Sequence, residues 1–128
     1  MTVAKVGRRQ SRRTALFLLY QWDLTGQPLG TSYEGEVDEF ALGLAQSVVD
    51  PAAELDGRIS SGSGDWPAEQ LGVVERTILR IGVYELQEGT VPLEVAIDEA
   101  VRLAKRYASE DAGRLVNGIL GRLARETA

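Results

Sequence analysis

Apolar residues recur at helical spacing through most of this chain, and no sustained alternation of period two is bounded by hairpin turns. The pattern therefore predicts an all-α protein. A first helix is predicted from Arg8 to about Thr25, and Gly26 ends it. A second helix is predicted from a buried face made of Val37, Phe40, Ala41, Leu44 and Val48.

The middle of the chain contains one helix start and one linker-like stretch. Asp50 as N-cap and Pro51 as first helical residue predict a short third helix that reaches about Ile59. The sequence Ser-Ser-Gly-Ser-Gly at 60–64 is typical of a flexible linker. It predicts a subdomain boundary that separates residues 1–62 from residues 63–128.

Three further helices are predicted in the second half. The fourth, which reaches about Leu86, has an inward face made of Leu71, Val74, Ile78 and Ile81. The fifth follows Val91-Pro92 and buries Ala96, Ala100, Leu103 and Tyr107. The sixth begins after Ser109 as N-cap and carries the stripe Leu115, Val116, Ile119, Leu120 and Leu123. Gly82 and Gly118 lie inside predicted helices, so we expect each to mark a close helix contact.

Composition excludes several classes of function. The chain has no cysteine and no histidine, which removes thiolate sites, most hydrolase triads and nearly all zinc sites. We therefore expect no enzyme and no cofactor. No apolar run approaches the ~20 residues that cross a bilayer, and no signal-peptide pattern follows the basic N-terminus. The expectation is a cytoplasmic protein without a membrane partner.

Charge is distributed unevenly along the chain. Residues 1–22 hold five bases, one of them Lys5, and no acid, whereas residues 23–99 hold sixteen acids and three bases. Residues 100–128 hold six bases and three acids. Basic ends attract a polyanion and an acidic middle attracts a basic protein, so the pattern indicates two different partners.

An arginine cluster at the start of the first helix is the strongest candidate for chemistry. Arg8, Arg9, Arg12 and Arg13 stand within six positions, and such a cluster binds RNA or DNA by neutralising phosphates. The alternative is a solvated basic tail. Tyr20, in the same helix, would stack on unpaired bases if it is exposed.

Carboxylates near position 98 suggest a second kind of site, which we set aside. Glu94, Asp98 and Glu99 could form a metal site or an acid/base pair. However, Arg102 continues the face shared by Glu94 and Asp98, which is typical of a solvated charge ladder. No metal is therefore expected.

Several segments match one family when they are taken in order. The basic opening is followed by Leu19-Tyr20-Gln21-Trp22, and Leu55-Asp56-Gly57-Arg58-Ile59 comes later. The second half contributes Trp66, the runs 74–86, 91–92, 95–101 and 103–105, and Leu115-Val116-Asn117-Gly118-Ile119-Leu120. The ordered set resembles the NusB family of bacterial transcription antitermination factors.

The resemblance implies two three-helix subdomains packed together, as in NusB. It also implies a factor that joins NusE, a small-subunit ribosomal protein, binds the single-stranded boxA element of nascent RNA and links to the transcription elongation complex. Family members can self-associate, which allows a homodimer. By position, the RNA contacts would be Arg8, Arg9, Gln10, Arg12, Arg13, Tyr20, Glu110 and Asp111. Glu75 and Arg76 would face the protein partner.

Two departures and two alternatives stay open. Leu115 replaces the family's usual Phe and Asp98 its usual Asn, which indicates weaker RNA affinity or local repacking. RNA-docking domains of RNA cytosine methyltransferases share this fold, but the 128 residues hold no Rossmann-like motif and no catalytic cysteine. The other alternative is a helical module that binds only protein and carries an incidental basic tail.

Overall fold

The computed structural model describes residues 7–64 and 70–127, which form six α-helices and no strand. The helices are α1 (Arg8–Thr25), α2 (Glu39–Val49), α3 (Ala52–Gly62), α4 (Val73–Glu88), α5 (Leu93–Tyr107) and α6 (Glu110–Thr127). The all-α prediction is confirmed, and α1 has the predicted bounds. Lys5 and Trp66 lie outside the described residues.

One hydrophobic core draws side chains from all six helices. Helix α4 is central to it, because α4 packs against each of the other five. Leu16, Ile78 and Leu120 are among its almost fully buried side chains, and each such side chain contributes roughly 1.5–3 kcal/mol by leaving water. Helix α4 contacts helices on both sides of residue 62, so its contacts do not separate two subdomains. The division into 1–62 and 63–128 stays a prediction.

Asp38 determines where α2 begins, two residues after the predicted inward residue Val37. Its carboxylate accepts a hydrogen bond from the Ala41 amide at 3.1 Å and another from the buried Ser11 hydroxyl at 2.8 Å. Burial alone would raise the pKa of Asp38, but these hydrogen bonds lower it on balance. Val37 stands before the cap and is 37% exposed, so its predicted place on the buried face was wrong.

The junction between α2 and α3 also differs from the prediction. Asp50 has helical backbone angles and ends α2, while Pro51 takes the N-cap position of α3 without a side-chain cap. The stretch 60–62, predicted as linker, is the last turn of α3. Gly62 is buried there, and a Cβ on it would lie 2.9 Å from Leu123 Cγ in α6. Tertiary packing of α3 on α6 thus overrides the local preference for a flexible loop.

The two helical glycines have different environments. A Cβ on Gly82 would lie 2.7 Å from Leu120 Cδ1, which confirms a close approach of α4 and α6. Nothing lies within 4 Å of the corresponding point on Gly118, so the predicted contact there was wrong. Leu115, placed on the buried stripe of α6 by its spacing, is 37% exposed.

Candidate nucleic-acid interface

A basic groove of about 910 Å³ lies between the first turns of α1 and helix α5. Gln10 is part of its lining, together with five cationic side chains: Arg9, Arg13, Arg102, Lys105 and Arg106. Asp98 is the one carboxylate among its lining residues in the described chain. Cations gathered in a concave surface focus positive potential, which attracts phosphates. The groove is therefore suited to bind a polyanion.

Helices α1 and α5 run in the same direction along the groove. At one end the Arg9 guanidinium binds the Glu99 carboxylate, with Nε 2.9 Å from Oε1. Eight residues further along each helix, Phe17 and Tyr107 meet edge to face with ring centroids 5.2 Å apart. The two contacts are thus about 12 Å apart along the helix axes. They fix the spacing of the two helices that supply the groove cations.

Glu99 lies beneath the groove and is 8% exposed. Its carboxylate also accepts a hydrogen bond from Arg102 Nε at 3.3 Å, and Arg12 Nη1 lies 3.9 Å away. Burial would raise the pKa of Glu99, but the hydrogen bonds from Arg9 and Arg102 and the charges of the arginines lower it on balance. Glu99 is therefore ionised and surrounded by cations at neutral pH.

Arg12, predicted to contact RNA, is buried instead of presented in the groove. It is 3% exposed and forms a two-pronged ion pair with Glu85 of α4, with Nε and Nη2 at 2.9 and 2.8 Å. A buried guanidinium needs such a partner, because an unpaired charge in the interior is strongly unfavourable. Arg12 thus joins α1 to α4 below the surface that its neighbours form.

Three other members of the arginine cluster are accessible, at the helix end where the dipole disfavours cations. The guanidinium of Arg8 lies over the Phe40 ring, 3.8 Å from its centroid, and Arg9 is bound to Glu99. Arg13 is half-buried in the groove, and no carboxylate of residues 7–64 or 70–127 pairs with it. The groove therefore contains a cation that no carboxylate of the described chain neutralises.

The remaining predicted RNA contacts lie outside the lining of the groove. Tyr20 is half-buried on α1, three residues beyond Phe17. Glu110 and Asp111 are exposed in the first turn of α6, which Ser109 caps by accepting from the Ala112 amide at 3.0 Å. Glu110 lies 3.9 Å from Lys105 of the groove, and Asp111 pairs with Arg114.

The two residues predicted to face a protein partner lie in the first turn of α4. Glu75 is half-buried. Arg76 binds Asp23 of α1 at 2.7 Å and is also half-buried. Arg80, one turn on, binds Asp56 at 2.7 Å and lies 3.5 Å from Asp23. Hydrogen bonding to Asp56 raises the pKa of Arg80 above its ordinary value. This network fastens α4 to α1 and α3.

The sequence did not single out the α5 side of the groove. Arg102, Lys105 and Arg106 recur at spacings of three and four, which places them on one face of a helix, and this was the available signal. Arg102 was predicted to continue the ladder of Glu94 and Asp98, but it binds Glu99. No cluster of carboxylates in the described part of the chain is arranged to hold a metal ion.

Comparison with known proteins gives one consistent result. The sequence model of the NusB family matches residues 9–125. The transcription antitermination protein NusB of Rubrobacter xylanophilus is 39% identical, and the alignment covers 90% of this chain and 88% of that protein. NusB of Solibacter usitatus is 37% identical over 93% of this chain and 89% of that protein.

Solved structures with the same fold are similar over nearly the whole chain. NusB from T. maritima superposes with a TM-score of 0.84 at 33% identity, covering 96% of this chain and 94% of that one. A chain from a crystal structure of the antitermination factors NusB and NusE in complex with dsRNA gives 0.80 at 32% identity, covering 93% and 96%.

Proposed function

This chain belongs to the NusB family of transcription antitermination proteins, and from that premise we propose that it binds single-stranded, boxA-like RNA together with NusE. In this role it links the RNA to the elongating RNA polymerase complex in the cytoplasm. It acts by binding and not by catalysis. The basic groove is the observation that carries the proposal.

The groove supplies what a phosphate backbone needs. Arg9, Arg13 and Arg102 offer planar donor groups that match phosphate oxygens, and Lys105 and Arg106 add charge. Gln10 adds a neutral amide that can donate to or accept from a base edge. Arg8, Tyr20, Glu110 and Asp111 are proposed as contacts at the margins. Arg12 supports the groove from within α1.

The protein partner would use a different part of the surface. Residues 23–99 hold sixteen acids and three bases, and this negative charge is complementary to a basic ribosomal protein, which supports NusE as the partner. A related NusB has been crystallised with NusE and double-stranded RNA, so a protein of this fold is known to bind NusE and an RNA in one complex. We keep Glu75 as the proposed contact with NusE. Arg76 is bound to Asp23 of α1, and we propose that this ion pair holds the first turn of α4, which carries Glu75, in place for the partner.

No helix in the described chain is long and apolar enough to span a bilayer. The proposal names RNA, NusE and the polymerase complex as partners. Self-association through the basic groove would compete with RNA. Sedimentation with and without RNA tests this, because RNA should shift any dimer toward the RNA-bound monomer.

Fluorescence anisotropy with a labelled boxA-like single strand tests the proposed function. We expect modest affinity for the chain alone and tighter binding when NusE is added, since the partner contributes further surface. A duplex of the same sequence serves as competitor, because the related complex contains double-stranded RNA. Binding of NusE without any binding of RNA would overturn the proposal and favour a purely protein-binding module.

A further inference from the structure

One buried carboxylate is unexplained by the proposed function. Glu99 lies beneath the basic groove, where a negative charge repels the phosphates that the groove attracts. Simple electrostatics would favour a neutral residue at this position. The contacts of Glu99 suggest why an acid is useful there.

Glu99 binds one arginine from each side of the groove. Its Oε1 accepts from Arg9 Nε in α1 at 2.9 Å, and its Oε2 accepts from Arg102 Nε in α5 at 3.3 Å. Both arginines are exposed, with 64% and 56% of their side-chain surface accessible. Each is bonded through Nε alone among the described residues, so the two Nη groups are left to donate to a ligand.

We propose that Glu99 is a positioning residue for RNA binding, which holds the guanidinium groups of Arg9 and Arg102 in the orientation that phosphates require. This inference rests on the proposed function, since it assumes that RNA occupies the basic groove. Glu99 touches the arginines and not the RNA. Its contribution is to restrict two long side chains before the ligand arrives.

Two opposing effects determine whether replacing Glu99 strengthens or weakens RNA binding. Removing the charge of Glu99 relieves repulsion of a phosphate, but Arg9, Arg12 and Arg102 lie 2.9, 3.9 and 3.3 Å from the carboxylate and largely neutralise it, so the gain in affinity should be only roughly threefold. Restricting one flexible side chain in advance is worth roughly two- to tenfold in affinity, and two arginines are involved. The positioning effect is the larger, so loss of the carboxylate should weaken RNA binding by about tenfold.

Substitutions of three carboxylates distinguish a positioning role of Glu99 from a simple charge effect and from a loss of protein stability. Glu99→Gln removes the charge and replaces one of the two acceptor oxygens by an NH2 group, so Arg9 and Arg102 can no longer both donate to it. Asp98→Asn removes a charge from the same groove, but Asp98 has no ion pair with any described residue. Asp56→Asn disturbs the buried Arg80 of α4 and leaves the arginines of the groove untouched. Each is titrated with labelled boxA-like single strand in the presence of NusE, well below its melting temperature.

We expect opposite signs from the two neighbouring substitutions. Glu99→Gln should weaken RNA binding about tenfold and lower the salt dependence, because fewer phosphates are neutralised. Asp98→Asn should strengthen binding by about threefold, and Asp56→Asn should lower only the melting temperature. Tighter or unchanged binding by Glu99→Gln, with the other two as expected, would overturn the inference and leave the proposed function standing.

A second substitution keeps the test valid if Glu99→Gln does not fold. The double variant Arg9→Lys, Arg102→Lys keeps both charges but loses the Nε donors and the planar groups that Glu99 orients. We expect it to bind RNA about tenfold more weakly with NusE binding unchanged. Wild-type affinity in this variant would contradict the inference. Failure of the wild-type chain to bind RNA at all would contradict the proposed function as well.

Discussion

The four arginines at the start of α1 have four different environments. Arg8 covers the Phe40 ring, Arg9 binds Glu99, Arg12 is buried against Glu85, and Arg13 faces the groove. Their roles therefore differ although the sequence presents them as one cluster. Arg13 is the member whose charge is least compensated, so it should respond most clearly to the presence of a polyanion.

Replacement of Arg13 by Ala should weaken RNA binding without a large change in stability. Loss of one phosphate contact reduces the log–log salt slope by about 0.7 for a single strand and the affinity by about fivefold. Anisotropy titrations over a range of salt concentrations measure both. Arg122→Ala is the matched control, because Arg122 is an exposed arginine of α6 outside the groove. Equal effects from both variants would contradict a groove-specific contact.

Because folding lowers the pKa of Glu99, part of the free energy of unfolding depends on pH in the acid range. Its folded pKa lies below the ordinary glutamate value of 4.5, so the contribution is fully present above pH 4.5 and is lost as pH falls through the folded pKa. Urea unfolding should show the wild type losing its advantage over Glu99→Gln as pH falls below 4.5. A constant difference over that range would sink the prediction.

At the scale of elements, the positions of the helices along the chain were easier to infer from the sequence than the contacts between them. The spacing of apolar residues located all six helices, and Gly26 ends α1 in the left-handed conformation, with φ 70°, that favours glycine. The contact partners of Gly82 and Gly118 depended on which face of each helix meets a neighbour. Only Gly82 meets one, at the crossing of α4 and α6.

Alanine substitutions at the two glycines should have opposite effects on stability. Gly82→Ala gains about 1 kcal/mol in helix propensity but forces a methyl group against the fully buried Leu120, so we expect a net loss of about 1–2 kcal/mol. Gly118→Ala has open space and should stabilise by about 1 kcal/mol. Denaturant unfolding followed by circular dichroism measures both. A stabilised Gly82→Ala would show that the core yields at this crossing.

At the scale of the whole molecule, one buried and one partly buried ion pair connect distant parts of the chain. Arg12 and Glu85 are 73 positions apart and join α1 to α4, while Arg80 binds Asp56 across 24 positions. These pairs lie at the contact between the first three helices and α4. They help to fix how the two halves of the chain pack, and hence where α5 lies relative to α1.

A double-mutant cycle measures the coupling between Arg12 and Glu85. Replacing either alone by Ala leaves a buried charge short of its partner and should lower the free energy of unfolding by about 3–5 kcal/mol. Replacing both should cost clearly less than the sum. The exposed pair Arg122 and Glu126 is the control, with a coupling of about 0–1 kcal/mol. Strict additivity at Arg12 and Glu85 would contradict the buried pair.

Local sequence patterns were sufficient to infer the all-α class, the approximate bounds of the helices and the resemblance to the NusB family. Periodicity, caps and glycine stops act over a few residues, so they can be recognised along the chain. The tertiary structure alone decided that Arg12 is buried and that 60–62 is helical. It also decided that Glu99 joins Arg9 to Arg102 across the basic groove. These features depend on contacts between residues up to 90 positions apart, and no local pattern encodes such a distance.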